Sequence, residues 1–202
     1  MILYLETNFL MSICTGRDPQ ANTLLESSLP SVQFVLPSIC VMEALSALEK
    51  ELKYRRRFEN ELNLQISQVR RDQTSSHAQR LLLYLDQSRQ ENRALLSEVK
   101  MRLFQAINQI SGKAELIDLT SPIIQDGLTI SLIDQDYTDN LILHCILHQA
   151  RLYPTETQVF LSSNERDFGT PEVQAALRNV GITNYFSSTQ VLLNWLQSQQ
   201  SE

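Results

Sequence analysis

From Ser38 to Ile110 the sequence keeps a helical apolar spacing, broken only by the polar segment DQTSS at 72–76. On both sides of it, short apolar runs alternate with helix-like segments. Few architectures accommodate that arrangement. The runs at 2–6 (ILYLE), 32–36 (VQFVL), 114–119 (AELIDL) and 158–163 (QVFLSS) read as buried strands, with a short edge strand at NYFSS, 184–188. Helices are expected after Thr7 or Asn8 as N-cap, from Ser38, over 121–133 and 139–150, and from Pro171 to a stop at Gly181. Alternation of this kind predicts a parallel sheet covered by helices on both faces. The middle predicts two long helices joined by the polar break, an antiparallel hairpin. Candidate stripe residues of its second helix are Leu81, Tyr84, Leu85, Leu95, Val99, Leu103 and Ile107. A coiled-coil heptad does not hold there over four repeats. The fold class is therefore α/β, a parallel sheet flanked by helices with an inserted long α-helical hairpin. The chain reads as a single domain over 1–202 with the insertion at about 50–111.

With 43% hydrophobic residues the chain can bury a core, and five glycines and six prolines are too few for an all-β protein rich in tight turns. No apolar run reaches the length of a bilayer span, and MILYLETNFL lacks the basic start of a secretory signal. Cys14, Cys40 and Cys145 sit singly in apolar stretches and read as reduced core residues. A cytoplasmic protein with no membrane partner is expected. The net charge of −6 is unevenly spread. Residues 50–102 hold 12 of the 17 basic residues and 7 of the 23 acids, a balance of +5, which leaves −11 on the rest. An acidic body disfavours a polyanion unless metal ions sit on it, and the basic middle attracts one.

Three carboxylates stand alone in apolar segments. Glu6 is the only charged residue from Met1 to Gly16, Glu43 the only one from Ser38 to Leu48, and Asp139 the only formal charge from Tyr137 to Ala150. A carboxylate in such a setting is costly unless compensated. Glu6 ends the first strand and Asn164 follows the VFLSS strand, so both fall at the sheet edge where open parallel sheets place their sites. Asp139 opens a helix, so it too can face the loops at a sheet edge, and Asp136 lies three residues before it. Acids gathered there from distant segments repel, and one or two divalent cations with hard oxygen ligands compensate them most simply. Each residue also has an ordinary reading: Asp139 as an N-cap, Glu43 as a partly exposed helix residue, Glu6 paired with a buried arginine, Asn164 and Asp167 as turn formers.

These segments resemble the PIN-domain family of metal-dependent nucleases. The resemblance lies in YLETNFLM with Glu6, Thr7 and Asn8, VMEALSAL with Glu43, YTDNLILHCILHQA with Asp139, and FLSSNERDF with Ser162, Asn164, Asp167 and Phe168. It covers residues 1–49 and 114–196, and the helical hairpin is extra to it. Glu6 stands where the family has Asp, and the fourth position is the neutral Asn164. The resemblance implies Mg²⁺ or Mn²⁺ held by Glu6, Glu43, Asp139 and Asn164, with Asp136 and Asp167 as further ligands and Asn8 and Ser162 orienting the carboxylates. It implies a divalent-metal-dependent endoribonuclease, possible as a toxin with an antitoxin-like protein partner. The alternative is a catalytically degenerate module that binds RNA or a protein through its helical hairpin, and a homodimer through that hairpin is a third option. Arg55, Arg56, Arg57, Arg70 and Arg71 are the RNA-binding candidates, or else a solvated helix face. Tyr54, Phe58 and Tyr84, which interleave with them, read as packing residues. No Gly-rich phosphate loop is present, and His144 and His148 lack the intervening Glu of zinc-protease chemistry, so they read as helix-packing or surface residues.

Overall fold

The computed structural model describes residues 1–27 and 31–199. Among these, five strands form one all-parallel sheet: β1 Ile2–Leu5, β2 Gln33–Pro37, β3 Ala114–Ile117, β4 Gln158–Leu161 and β5 Ile182–Phe186. Their spatial order is β3-β2-β1-β4-β5. Strands β1 and β4 are buried at every position, as apolar runs flanked by strands on both sides should be. The edge strand β3 buries only its last residue, Ile117. The chain reverses direction across the sheet between β1 and β4, and there the carboxyl ends of two neighbouring strands open a crevice. Leu5 pairs with Leu161 at that end.

The helices are α1 Thr7–Thr15, α2 Pro19–Glu26, α3 Ser38–Val69, α4 Ser76–Lys113, α5 Ser121–Thr129, α6 Tyr137–Ala150, α7 Glu165–Phe168, α8 Pro171–Asn179 and α9 Thr189–Gln199. Three of them, α2, α7 and α9, lie outside the sequence expectation. The signal for α2 was present: Asp18 caps it by accepting from Gln20 N at 2.9 Å, and Pro19 follows at the first position. The N-cap of α1 is neither Thr7 nor Asn8 but Glu6 itself, whose side chain accepts from the Asn8 amide. The helix at 121–133 ends at Thr129, because Asn140 holds the following backbone. Its amide donates to Gly127 O and Ile130 O and its Oδ1 accepts from Leu132 N and Ile133 N. Helices α5 and α6 approach closely at Gly127, where a Cβ would stand 2.7 Å from Leu141 Cδ2.

Contacts divide the chain into two compact units, residues 1–44 with 103–202, and residues 45–102. Within the second unit, the buried and half-buried positions include Leu48, Leu52, Arg55, Glu59, Leu62, Ile66 and Val69 on α3, and Leu82, Leu85, Arg89, Asn92, Leu96 and Val99 on α4. Both follow the alternating 3–4 spacing of a heptad seam. The heptad was illegible as an apolar pattern because Arg55, Glu59, Arg89 and Asn92 occupy seam positions. Counting only apolar residues also shifted the phase by one, so Leu81, Tyr84 and Leu95, expected on the stripe, are exposed. Tyr54 and Phe58 are exposed too rather than packed. The polar seam is held by Asn92 Nδ2 donating to Arg55 O at 3.3 Å, by Arg89 donating to Asn63 Oδ1 at 3.0 Å, and by the Arg93–Glu59 ion pair. No helix among the described residues is long and apolar enough to cross a membrane.

Candidate metal centre

The crevice between β1 and β4 collects the isolated acids. Glu6, 1% exposed, leaves β1 and caps α1, with Oε2 accepting from Asn8 N at 2.6 Å. The Ser162 hydroxyl at the end of β4 bonds the same carboxylate and also accepts from Asn164 N at 3.1 Å. The other oxygen, Glu6 Oε1, is fully buried without a hydrogen-bond partner. Glu43 lies on the second turn of α3, and the buried Thr7 hydroxyl donates to its Oε2. Asp139, 7% exposed, sits in the first turn of α6. The N-cap of that helix is Asp136, which accepts from Thr138 N at 2.8 Å and Asp139 N at 3.1 Å, so the capping alternative belongs to Asp136 rather than Asp139.

Asn164 begins α7 and donates its side-chain amide to two carboxylates, Asp139 Oδ2 at 2.9 Å and Asp167 Oδ2 at 2.8 Å. Because Asp167 is ionised and accepts only, the nitrogen must face it. Arg166 then pairs with Asp167 at 2.9 Å. The sequence offered no cue to Arg166, an exposed residue beside an acid, nor to Thr7 as the donor to Glu43.

The acids also act on one another's titration. Burial, and then the carboxylates of Asp139 and Glu43, push Glu6 up to about 8 against the bonds from Asn8 and Ser162. Burial, then Glu43, Asp136 and Asp167, push Asp139 up to about 7, with Arg166 opposing. Asp167 is held below its usual range, chiefly by its bonds from Arg166. Residues that follow β1, lie on α3 and α6 and sit in the β4–α7 turn thus influence one another, from positions as far apart in sequence as Glu6 and Asp167. Among the described residues no three His, Cys, Asp or Glu side chains already stand at metal-ligand spacing. The donor set nevertheless suits a hard divalent cation: carboxylate oxygens, mutually repelling, one of them a buried atom with no partner. The histidines serve packing: His144 Nε2 lies 2.9 Å from Ile130 O and His148 Nε2 2.7 Å from Asp126 Oδ2. The five arginines proposed for RNA lie in the other unit. Arg55 pairs with Glu51 at 2.8 Å and Arg70 with Asp86 at 3.7 Å, whereas Arg56, Arg57 and Arg71 are exposed.

A family model described as a PIN domain matches residues 3–168. No curated protein matches the chain. Among solved structures, the chain is similar to the crystal structure of VapBC2 from Rickettsia felis bound to a DNA fragment from their promoter. That match has 12% identity and a TM-score of 0.41 over 86% of this chain and 96% of that one, too distant to carry an argument about the site.

Proposed function

The chain belongs to the PIN-domain family, and on that premise we propose that it is a divalent-metal-dependent endoribonuclease. Glu6, Glu43 and Asp139 hold Mg²⁺ or Mn²⁺, with Asp136, Asp167 and Asn164 around them. The observation that carries this reading is Glu6 Oε1, a buried carboxylate oxygen left without a partner beside two further acids. The cation supplies charge neutralisation on the phosphate and a lowered pKa of water for an in-line displacement. The chain's own groups prepare that site. Asn8 N and Ser162 fix the Glu6 carboxylate, and Thr7 fixes Glu43. The Asn164 amide holds Asp139 in place, and Arg166 keeps Asp167 ionised. Exposed Arg56, Arg57 and Arg71 supply long-range attraction for the RNA phosphates.

One observation favours a second reading. The Asn164 amide donates to both Asp139 and Asp167 and so occupies an oxygen of each, as the side chain of a binding module that no longer uses a cation would. Cleavage of a single-stranded RNA in Mn²⁺ separates the two. The nuclease reading expects metal-dependent cleavage that Asp139→Asn reduces by roughly a hundredfold or more, beyond the 10–100-fold typical of outer-shell partners. A wild-type protein that does not cleave, or a variant with full activity, contradicts it.

A further inference from the structure

Beside the acid cluster, a cavity of ≈ 260 Å³ opens between α1 and the ends of β4 and β5, with Glu6 and Ser162 in its wall. We infer that this cavity seats one ribonucleotide of the substrate, next to the phosphate that is cut. The inference rests on the nuclease reading and adds to it which nucleotide features are recognised.

The lining divides by chemistry. Phe9, Met11 and Leu161 give an apolar wall for the face of a base. Ser12 and Thr15 line the same space, but their hydroxyl protons are committed to the helix: Ser12 Oγ donates to Phe9 O at 2.8 Å and Thr15 Oγ1 to Met11 O at 2.7 Å. Each can therefore offer only lone pairs. Asp18 spends Oδ1 on the Gln20 amide and keeps its other oxygen. Ser12, Thr15 and Asp18 make one side of the polar wall an acceptor surface, and Asn8, Ser163, Ser187 and Thr189 line the rest. The acceptor side matches ligand groups that donate, namely a ribose 2′-hydroxyl or the exocyclic amine of a base. The cation of the pocket is Arg17, which is exposed and has no ion-pair partner among the described residues. A guanidinium there takes the phosphate on the far side of the seated nucleotide. Volume, apolar wall, acceptors and lone cation together describe an unstacked nucleotide of a single strand rather than a duplex, whose bases are not free to enter.

The test uses the full-length protein with Ca²⁺ in place of Mg²⁺ and fluorescein-labelled hexanucleotides, RNA and DNA of one sequence, followed by anisotropy. The wild type is expected to bind the RNA several-fold more tightly than the DNA. Arg17→Ala, at an exposed position that tolerates truncation, should weaken RNA binding about tenfold, the scale of one charge-assisted hydrogen bond, with Mn²⁺ affinity unchanged. Ser12→Ala with Thr15→Val should bring RNA and DNA towards parity. Wild-type affinity in Arg17→Ala together with an unchanged RNA preference in the double variant overturns the pocket, even if the enzyme cleaves RNA. Loss of affinity in these variants of a protein that never cleaves supports the pocket and sinks the nuclease reading instead.

Discussion

Glu6 shows how much one residue can do here and how much of that its sequence context gives away. It is at once the end of β1, the cap of α1 and the most buried acid of the site. Its carboxyl titrates at about 8 and that of Asp139 at about 7, both raised first by burial and then by their neighbours' charge. An acid with a raised folded pKa keeps its proton in the native state after the unfolded chain has released it. The native state then binds more protons, so stability declines as pH rises from the unfolded value towards the folded one. Thermal melts of the metal-free protein in chelator should therefore show a midpoint that falls between about pH 5 and pH 8, and Asp139→Asn should blunt the fall. A midpoint that is flat or rising over that window contradicts the burial argument. The lone-charge pattern in the sequence exposed Glu6, Glu43 and Asp139 because an unpaired acid amid apolar residues is anomalous in one dimension. Thr7 was hidden because its bond to Glu43 joins distant segments, and Arg166 because an exposed arginine beside an acid is ordinary in one dimension.

At the scale of elements, strands and long helices were legible and phase was not. Apolar runs as strong as ILYL and QVFL allow one interpretation, whereas a seam that admits Arg55, Glu59, Arg89 and Asn92 defeats a count of apolar positions. Those polar positions have a cost. Asn92 is 5% exposed and its Oδ1 has no partner, and Arg89 Nε is likewise buried and unpartnered. Asn92→Leu removes the desolvated amide and puts an apolar side chain into the seam. We expect it to raise stability by about 1 kcal/mol, read by urea denaturation. A single polar seam residue often fixes register, so the same variant should broaden the set of oligomers seen on sizing. A clear loss of stability would mean that the bond from Asn92 to Arg55 O outweighs the orphan oxygen. The short α2 and α7 escaped the reading for a different reason: one or two turns carry too little periodicity to stand out, and only the Asp18–Pro19 cap marked the first.

Across the whole molecule, the basic residues and the cluster of buried acids are separated along the chain. Residues 50–102 carry +5 and the remainder −11. Under the proposed function, the acids that would hold a cation also repel a polyanion, and a cation offsets only part of that. RNA affinity would then depend on the basic middle, chiefly on Arg56 and Arg57, which are exposed, whereas Arg55 is engaged with Glu51. Changing Arg56 and Arg57 to Ala should weaken RNA binding and flatten its dependence on salt by roughly one unit of slope per lost phosphate contact. Metal affinity should not move, and unchanged salt dependence would assign these arginines to solvation alone. The claim on which everything else depends is that Glu6, Glu43 and Asp139 form a divalent-cation site. Anomalous diffraction from crystals soaked in Mn²⁺ tests it most directly. The expected result is a manganese peak within coordination distance of Glu6 Oε1 and of the Asp139 carboxylate, and its loss in Asp139→Asn. A fully soaked crystal with no peak at these carboxylates, or with manganese bound only elsewhere on the acidic surface, would contradict it.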